Sequence, residues 1–172
     1  MKIQFVLNGT PTVVEAPDGL TLLELLREEL GLTGTKCGCD TGDCGVCGIL
    51  FDGKLVNSCL IPIARLAGHE VMTIEGLQGP DGRLSDLQKS FLAHGAVQCG
   101  YCIPSMILAG EALLHENPNP TRAEIRAGIS SVLCRCTGYQ QIIDAIEETA
   151  RTRRSKANNR SAMNTERSYG RA

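Results

Sequence analysis

Aromatic side chains are nearly missing. The 172 residues include no tryptophan, three tyrosines and three phenylalanines, 3% in all. With so few flat rings to stack bases on, the chain is a poor candidate for binding single-stranded nucleic acid. Long apolar runs are absent too; none approaches the ~20 residues that span a bilayer. The opening MKIQFVLNGTPTVVEAPDG meets proline and charge too early for an export signal. Three histidines, His69, His94 and His115, are scattered without metal spacing and read as surface or helix-capping residues. No carboxylate pair sits in apolar sequence, and there is no nucleophilic triad, phosphate loop or dinucleotide fingerprint. The chain is therefore expected to be soluble and cytoplasmic, with no substrate-converting centre of its own.

What it has is an apolar fraction of 42%, enough for a packed core, and an uneven charge. Residues 151–172 carry seven Lys/Arg against one Glu, a charge of +6, while residues 1–150 carry −8. The body is acidic. The end is expected to be a basic, flexible tail.

The sequence divides into two halves of different class, an α+β pattern. In the first, Lys2–Asn8 and Thr12–Ala16 flank an Asn-Gly turn, and Gly48–Ser58 folds around an Asp-Gly turn; both read as hairpins. Thr21-x-x-Glu24 is a capping box opening a helix whose face is Leu22, Leu23, Leu25, Leu26 and Leu30. His69–Glu75 reads as a closing strand, with Val71 and Thr73 on one side. Gly, Pro and Asp then crowd Gly76–Arg83, which sets the expected boundaries: a domain over 1–76, a linker over 77–84 and a helical domain over 85–150. In that second domain Ser85-x-x-Gln88 opens one helix and Pro104 begins another. Thr121-x-x-Glu124 caps a third, running to about Val132, and Tyr139–Ala150 is a fourth. Met72 and Met106 read as core.

Nine cysteines are the strongest signal. In a reducing compartment they point to metal before disulfides. Cys39, Cys44, Cys47 and Cys59 are spaced C-x4-C-x2-C-x11-C, and the first three match the run of plant-type 2Fe–2S ferredoxins. A pair of tetrahedral irons needs four thiolates converging on a small volume. A short loop can wrap one side and a distant cysteine can close it. Gly38, Gly42, Gly45 and Gly48 let such a loop curl and turn its N–H groups toward the sulfurs. A zinc loop or a redox disulfide is the alternative. Cys37, in the same C-G-C, reads as a free thiol beside the site.

Cys99-Gly-Tyr-Cys102 and Cys134-Arg-Cys136 form a second set, each pair just ahead of an expected helix. Helix N-termini favour anions, so they suit a group held by four thiolates. Zinc fits C-x2-C nearly as well. Arg135, between two candidate ligands, either offsets their charge or makes a surface ion pair.

TKCGCDTGDCGVC, GYCIPSM and LCRCTGYQQIIDAI, in that order across residues 1–150, resemble the small iron–sulfur subunits of the molybdenum hydroxylases. That group includes xanthine dehydrogenase, aldehyde oxidoreductase and carbon monoxide dehydrogenase. The resemblance implies a β-grasp ferredoxin domain followed by a four-helix bundle, with one 2Fe–2S cluster in each. It implies an electron-transfer role beside a large subunit with a molybdenum–pterin cofactor and a medium subunit with FAD. It further implies that Gln98 contacts the pterin and that Cys136 lies on the path from pterin to iron. Three details depart from the family pattern. GVCGI (Gly45–Ile49) stands for GACTV, Ser105 for the glycine of C-x-P-G-M, and Ser131-Val132 for Gly-Asn before L-C-R-C. The last two bear on packing toward the pterin side. The rival readings are a free-standing two-cluster carrier and a zinc-stabilised interaction module.

Overall fold

The computed structural model describes residues 1–79 and 81–169, with the backbone alone from 160 onward. Pro80, inside the expected linker, and residues 170–172 of the tail lie outside the described residues.

The chain starts as a hairpin. Strands β1 (Lys2–Leu7) and β2 (Thr10–Glu15) pair antiparallel with Leu7 opposite Thr10. The turn works because Asn8 and Gly9 both take positive φ, 51° and 75°, the geometry a tight two-residue hairpin needs. Asn8 does more than turn. Its side-chain oxygen accepts the Thr73 N–H at 2.8 Å and its amide donates to the Thr73 hydroxyl at 3.1 Å, tying the turn to the end of the neighbouring central strand. The second hairpin, β3 (Gly48–Phe51) and β4 (Lys54–Asn57), turns on Asp52 and Gly53 in the same way. Strand β5 (Glu70–Met72) lies parallel to β1 and antiparallel to β3, completing a five-stranded mixed sheet of order β2-β1-β5-β3-β4. It is shorter than the sequence suggests, because the chain leaves the sheet into a 3-10 turn at Ile74–Leu77.

One face of the sheet is packed. Ile3 and Phe5 alternate inward on β1 and meet Leu22, Leu25, Leu26, Ile49, Ile63, Leu66 and Val71. Leu66 follows a 3-10 turn at Ile63–Arg65, and Leu22 opens helix α1 (Leu22–Glu24), capped by the Thr21/Glu24 box, with the Thr21 N–H donating to the Glu24 carboxylate at 2.7 Å. The helix then widens into a π-helical turn over Leu25–Glu29, where the sequence suggests a regular helix. The Leu30 N–H reaches back to the Leu25 carbonyl. The wider turn seats Leu22, Leu25 and Leu26 in the core together.

Four helices follow: α2 (Asp86–Ala93), α3 (Ile103–Glu116), α4 (Arg122–Gly128) and α5 (Gln140–Tyr169). The Ser85/Gln88 and Thr121/Glu124 capping boxes are both formed. Helix α4 stops at Gly128, short of Val132. The Ser130 hydroxyl caps the Ala127 carbonyl at 2.7 Å, and Ile129 and Val132 pack inward from the turn that follows. Leu87, Phe91, Met106, Ile107, Ile125, Ile142 and Ile146 fill the space between the helices. Met72 is only partly buried.

The stretch expected as a flexible tail from residue 151 instead continues α5 to Tyr169. Arg153 anchors its start. The guanidinium makes two bonds to the Asp86 carboxylate on α2, at 2.6 and 2.9 Å, and two to Glu111 on α3, at 2.9 and 3.0 Å. No helix among the described residues is long and apolar enough to cross a membrane.

The two halves touch through the first cysteine loop and along the β3–β4 hairpin, where Leu55 packs against the helical core. Val46, between two cysteines of the first set, packs into the helical core rather than the sheet core. Burying a side chain of that size stabilises by roughly 2 kcal/mol, so the contact is not incidental.

Candidate metal centres

The first cysteine set gathers where the loop after α1 meets β3 and the 3-10 turn at Ser58–Leu60. The sulfurs fall into two pairs. Cys47 and Cys59 are buried with their sulfurs 3.5 Å apart. Cys39 and Cys44 form the other pair, with the Cys44 N–H donating to the Cys39 sulfur at 3.4 Å. Glycine is required here: Gly42 and Gly45 take φ of 85° and 70°. At Gly45 a Cβ would also lie 1.9 Å from the Ser131 carbonyl oxygen, so only glycine allows the loop to approach the helical half.

The electrostatics differ within the set. The Thr41 hydroxyl, then the Cys44 and Thr41 N–H groups, bring the Cys39 thiol down to about 6, so it is ready to ionise. Burial, then the bond to Cys47, pushes the Cys59 thiol up to about 12, with the Gly42 N–H opposing. Burial also raises Cys44, against the Val46 N–H that faces its sulfur. Thiols held protonated by burial become ligands when a cation offsets their charge and the bound proton is released.

The second set lies at the head of α3 and ahead of α5. The sulfurs of Cys99 and Cys136 are 3.5 Å apart and both residues are exposed. Cys102, the N-cap of α3, is buried against Cys134; burial first, then that contact, pushes its thiol up to about 12. Burial opposes ionisation of Cys134, but the Thr137 hydroxyl and N–H and the Cys136 N–H outweigh it. The Tyr139 hydroxyl accepts the Cys134 N–H at 2.8 Å. Gln98, Arg135 and Leu133 are exposed around this site, and Tyr101 is about half exposed. His69 pairs with Asp52 and His94 caps α2, as the sequence suggests.

Both sets fit a two-iron cluster. Each offers two cysteine pairs, one for each tetrahedral iron, with nearby N–H donors. Cys37 stands apart. It is half-buried, its thiol donates to Asp40 at 3.1 Å, and its carbonyl accepts the Tyr101 hydroxyl.

The two sites meet, which the sequence does not foretell. The Leu133 N–H donates to the Cys44 carbonyl at 2.8 Å. The Ser105 hydroxyl donates to the Gly45 carbonyl at 2.7 Å. Ser105, Ser131 and Val132 therefore lie against the first cysteine loop.

Comparison with known proteins agrees with this arrangement. Residues 5–68 match the 2Fe-2S iron-sulfur cluster binding domain, and residues 73–147 match a second 2Fe-2S binding domain. The nicotinate dehydrogenase small FeS subunit of Eubacterium barkeri is 45% identical over 85% of this chain and 92% of its own length. The xanthine dehydrogenase iron-sulfur-binding subunit of Escherichia coli O157:H7 is 43% identical over 89% of this chain and 96% of its own. Among solved structures, quinoline 2-oxidoreductase from Pseudomonas putida 86 superposes with a TM-score of 0.85 at 45% identity, over 90% of this chain and 96% of the matched one. The chain thus belongs to the small two-cluster iron–sulfur subunits of the molybdenum hydroxylase family. Its role is electron transfer within an oxidoreductase complex.

Proposed function

We propose that Cys39, Cys44, Cys47 and Cys59 hold the first 2Fe–2S cluster and Cys99, Cys102, Cys134 and Cys136 the second. Domain 1–76 then has the β-grasp arrangement, 77–84 is the linker, and 85–150 is a four-helix bundle. A bound 2Fe–2S cluster accepts and releases one electron at a time. The chain's own residues supply the thiolates, the N–H groups facing the sulfurs and the burial that tunes each potential.

The observation that carries the direction of transfer is the unequal exposure of the two sites. Cys99 and Cys136 lie exposed beside Gln98, Tyr101 and Leu133, while Cys47 and Cys59 are buried. Electrons therefore enter at the second site, from a large molybdenum–pterin subunit seated on that face with Gln98 and Cys136 toward the pterin. They cross where Leu133 meets Cys44 and leave from the first site to a medium FAD subunit. The complex is cytoplasmic.

Isolation of the native assembly tests this. The expected result is a chain that co-purifies with a molybdenum-containing large subunit, carrying about four irons with acid-labile sulfide, two for each 2Fe–2S cluster. Zinc in place of iron would overturn the metal assignment. A chain that carries iron but purifies alone would point to a free-standing carrier.

A further inference from the structure

The contact between the halves contains a hydroxyl that no cysteine motif explains. Ser105 lies in the first turn of α3, three residues after Cys102, with 0% exposure. It reaches out of the helical half to the Gly45 carbonyl at 2.7 Å. That carbonyl also takes the Gly48 N–H at 3.1 Å. On the other end of the same planar peptide, the Val46 N–H faces the Cys44 sulfur. One rigid unit therefore has Ser105 at its oxygen and the Cys44 sulfur at its nitrogen.

We propose that Ser105 is a positioning residue for the first 2Fe–2S cluster, acting across the domain contact through the Gly45–Val46 peptide. The inference rests on Cys44 being a ligand of that cluster. A donor on the carbonyl fixes the plane of the peptide and polarises it, which strengthens its N–H as a donor. An N–H bond to a ligand sulfur stabilises the more negative, reduced state and so raises the potential. Removing the hydroxyl loosens the peptide, weakens that bond and lowers the potential of the first cluster.

The space opposite Ser105 supports the pairing. A Cβ on Gly48 would lie 2.2 Å from the Ser105 hydroxyl oxygen, so the hydroxyl keeps this position only because residue 48 is glycine.

The test is a redox titration of both clusters in the assembled complex, followed by electron paramagnetic resonance. Ser105→Ala is expected to shift the first cluster's midpoint to lower potential and leave the second's in place. Gly48→Ala is expected to do the same, because its methyl displaces the hydroxyl without deleting it. It decides the matter if Ser105→Ala does not assemble. The double variant Gly48→Ser with Ser105→Gly returns a hydroxyl to the same space and is expected to move the midpoint back toward the parent value. An unchanged first midpoint, equal shifts in both clusters, or a double variant no better than the single ones would overturn the proposal. Cys44→Ser separates the two levels of the argument: a first-cluster signal that survives it refutes the ligand assignment, whatever the serine variants do.

Discussion

The main-chain N–H of Leu133 donates to the carbonyl oxygen of Cys44 at 2.8 Å. Leu133 immediately precedes Cys134, so the two cysteine loops are joined by backbone, one hydrogen bond from a candidate ligand of one site to the neighbour of a candidate ligand of the other. A main-chain link does not depend on a side-chain rotamer. It keeps the spacing of the two sites fixed as long as the halves stay docked.

Docking depends on Gly45. Its φ of 70° costs any other L-residue about 1–2 kcal/mol. The 1.9 Å approach of a Cβ to the Ser131 oxygen adds an overpacking penalty of roughly 1–3 kcal/mol, since backbone cannot rotate away. Gly45→Ala is therefore expected to destabilise the docked form by about 3 kcal/mol. It should expose the linker to limited proteolysis and slow electron passage between the clusters more than it alters either cluster's spectrum. Proteolysis rates and pre-steady-state reduction of each cluster give the readout. A variant with parental behaviour in both would mean that the halves are held by something else.

Local chemistry was easy to read and distant contacts were not. Asn8-Gly9 and Asp52-Gly53 announced their hairpins, because few residue pairs accept two positive φ angles in succession. The three capping boxes were legible because each is closed within four residues. The cysteine sets were legible from spacing. The π-helical widening after Glu24 was hidden because it is imposed by which leucines must reach the core. The run of α5 beyond Ala150 was hidden because Arg153 is anchored by Asp86 and Glu111, 67 and 42 residues away along the chain. Ser105 and Ser131 looked like variations at the second site; only the fold turns them toward Gly45.

The C-G-C sequence leaves one ambiguity that the geometry resolves into a prediction. The Cys37 thiol donates to Asp40 at 3.1 Å, and that bond, then burial, raises its affinity for its proton. Cys39 is pulled the other way, to about 6. Cys37→Ser is expected to retain both clusters and full iron content, whereas Cys39→Ser loses the first cluster. Iron analysis and visible circular dichroism of the two variants check this. Loss of the first cluster in Cys37→Ser would reverse the ligand assignment.

The Arg153 anchor carries a pH dependence of known sign. The Asp86 carboxyl is held below its usual value, first by its bonds to Arg153, with burial opposing. Its contribution is thus present above the unfolded value near 3.9 and is lost as pH falls through the lower folded value. Both side chains are about one-third exposed, at 34% and 38%, so screening reduces the pair to about 1 kcal/mol. Asp86→Asn should speed the opening of α5 around residue 153 roughly fivefold at pH 7. The difference from the parent should shrink as pH falls below the unfolded value and vanish once pH is below the lower folded value. A brief hydrogen-exchange pulse, corrected for intrinsic rates, measures both. A difference that grows on acidification would contradict the assignment.

The two sites are expected to load independently, although their loops touch. The contact at Leu133 and Cys44 uses backbone atoms, and Cys44→Ser or Cys134→Ser leaves those atoms in place. Apart from Cys44, which packs against the helical core, each cysteine set also sits against its own packing. Cys47 and Cys59 lie with Leu23, and Cys102 lies in the helical core with Met106 and Ile107. Cys44→Ser should therefore abolish the first cluster's resonance and keep the second's, and Cys134→Ser should do the reverse. Each variant should lose about half the iron, because each 2Fe–2S cluster accounts for two of about four irons. If either serine removed both signals at unchanged protein yield, one cluster would be a folding requirement for the other, and the two halves could not be treated as separate domains.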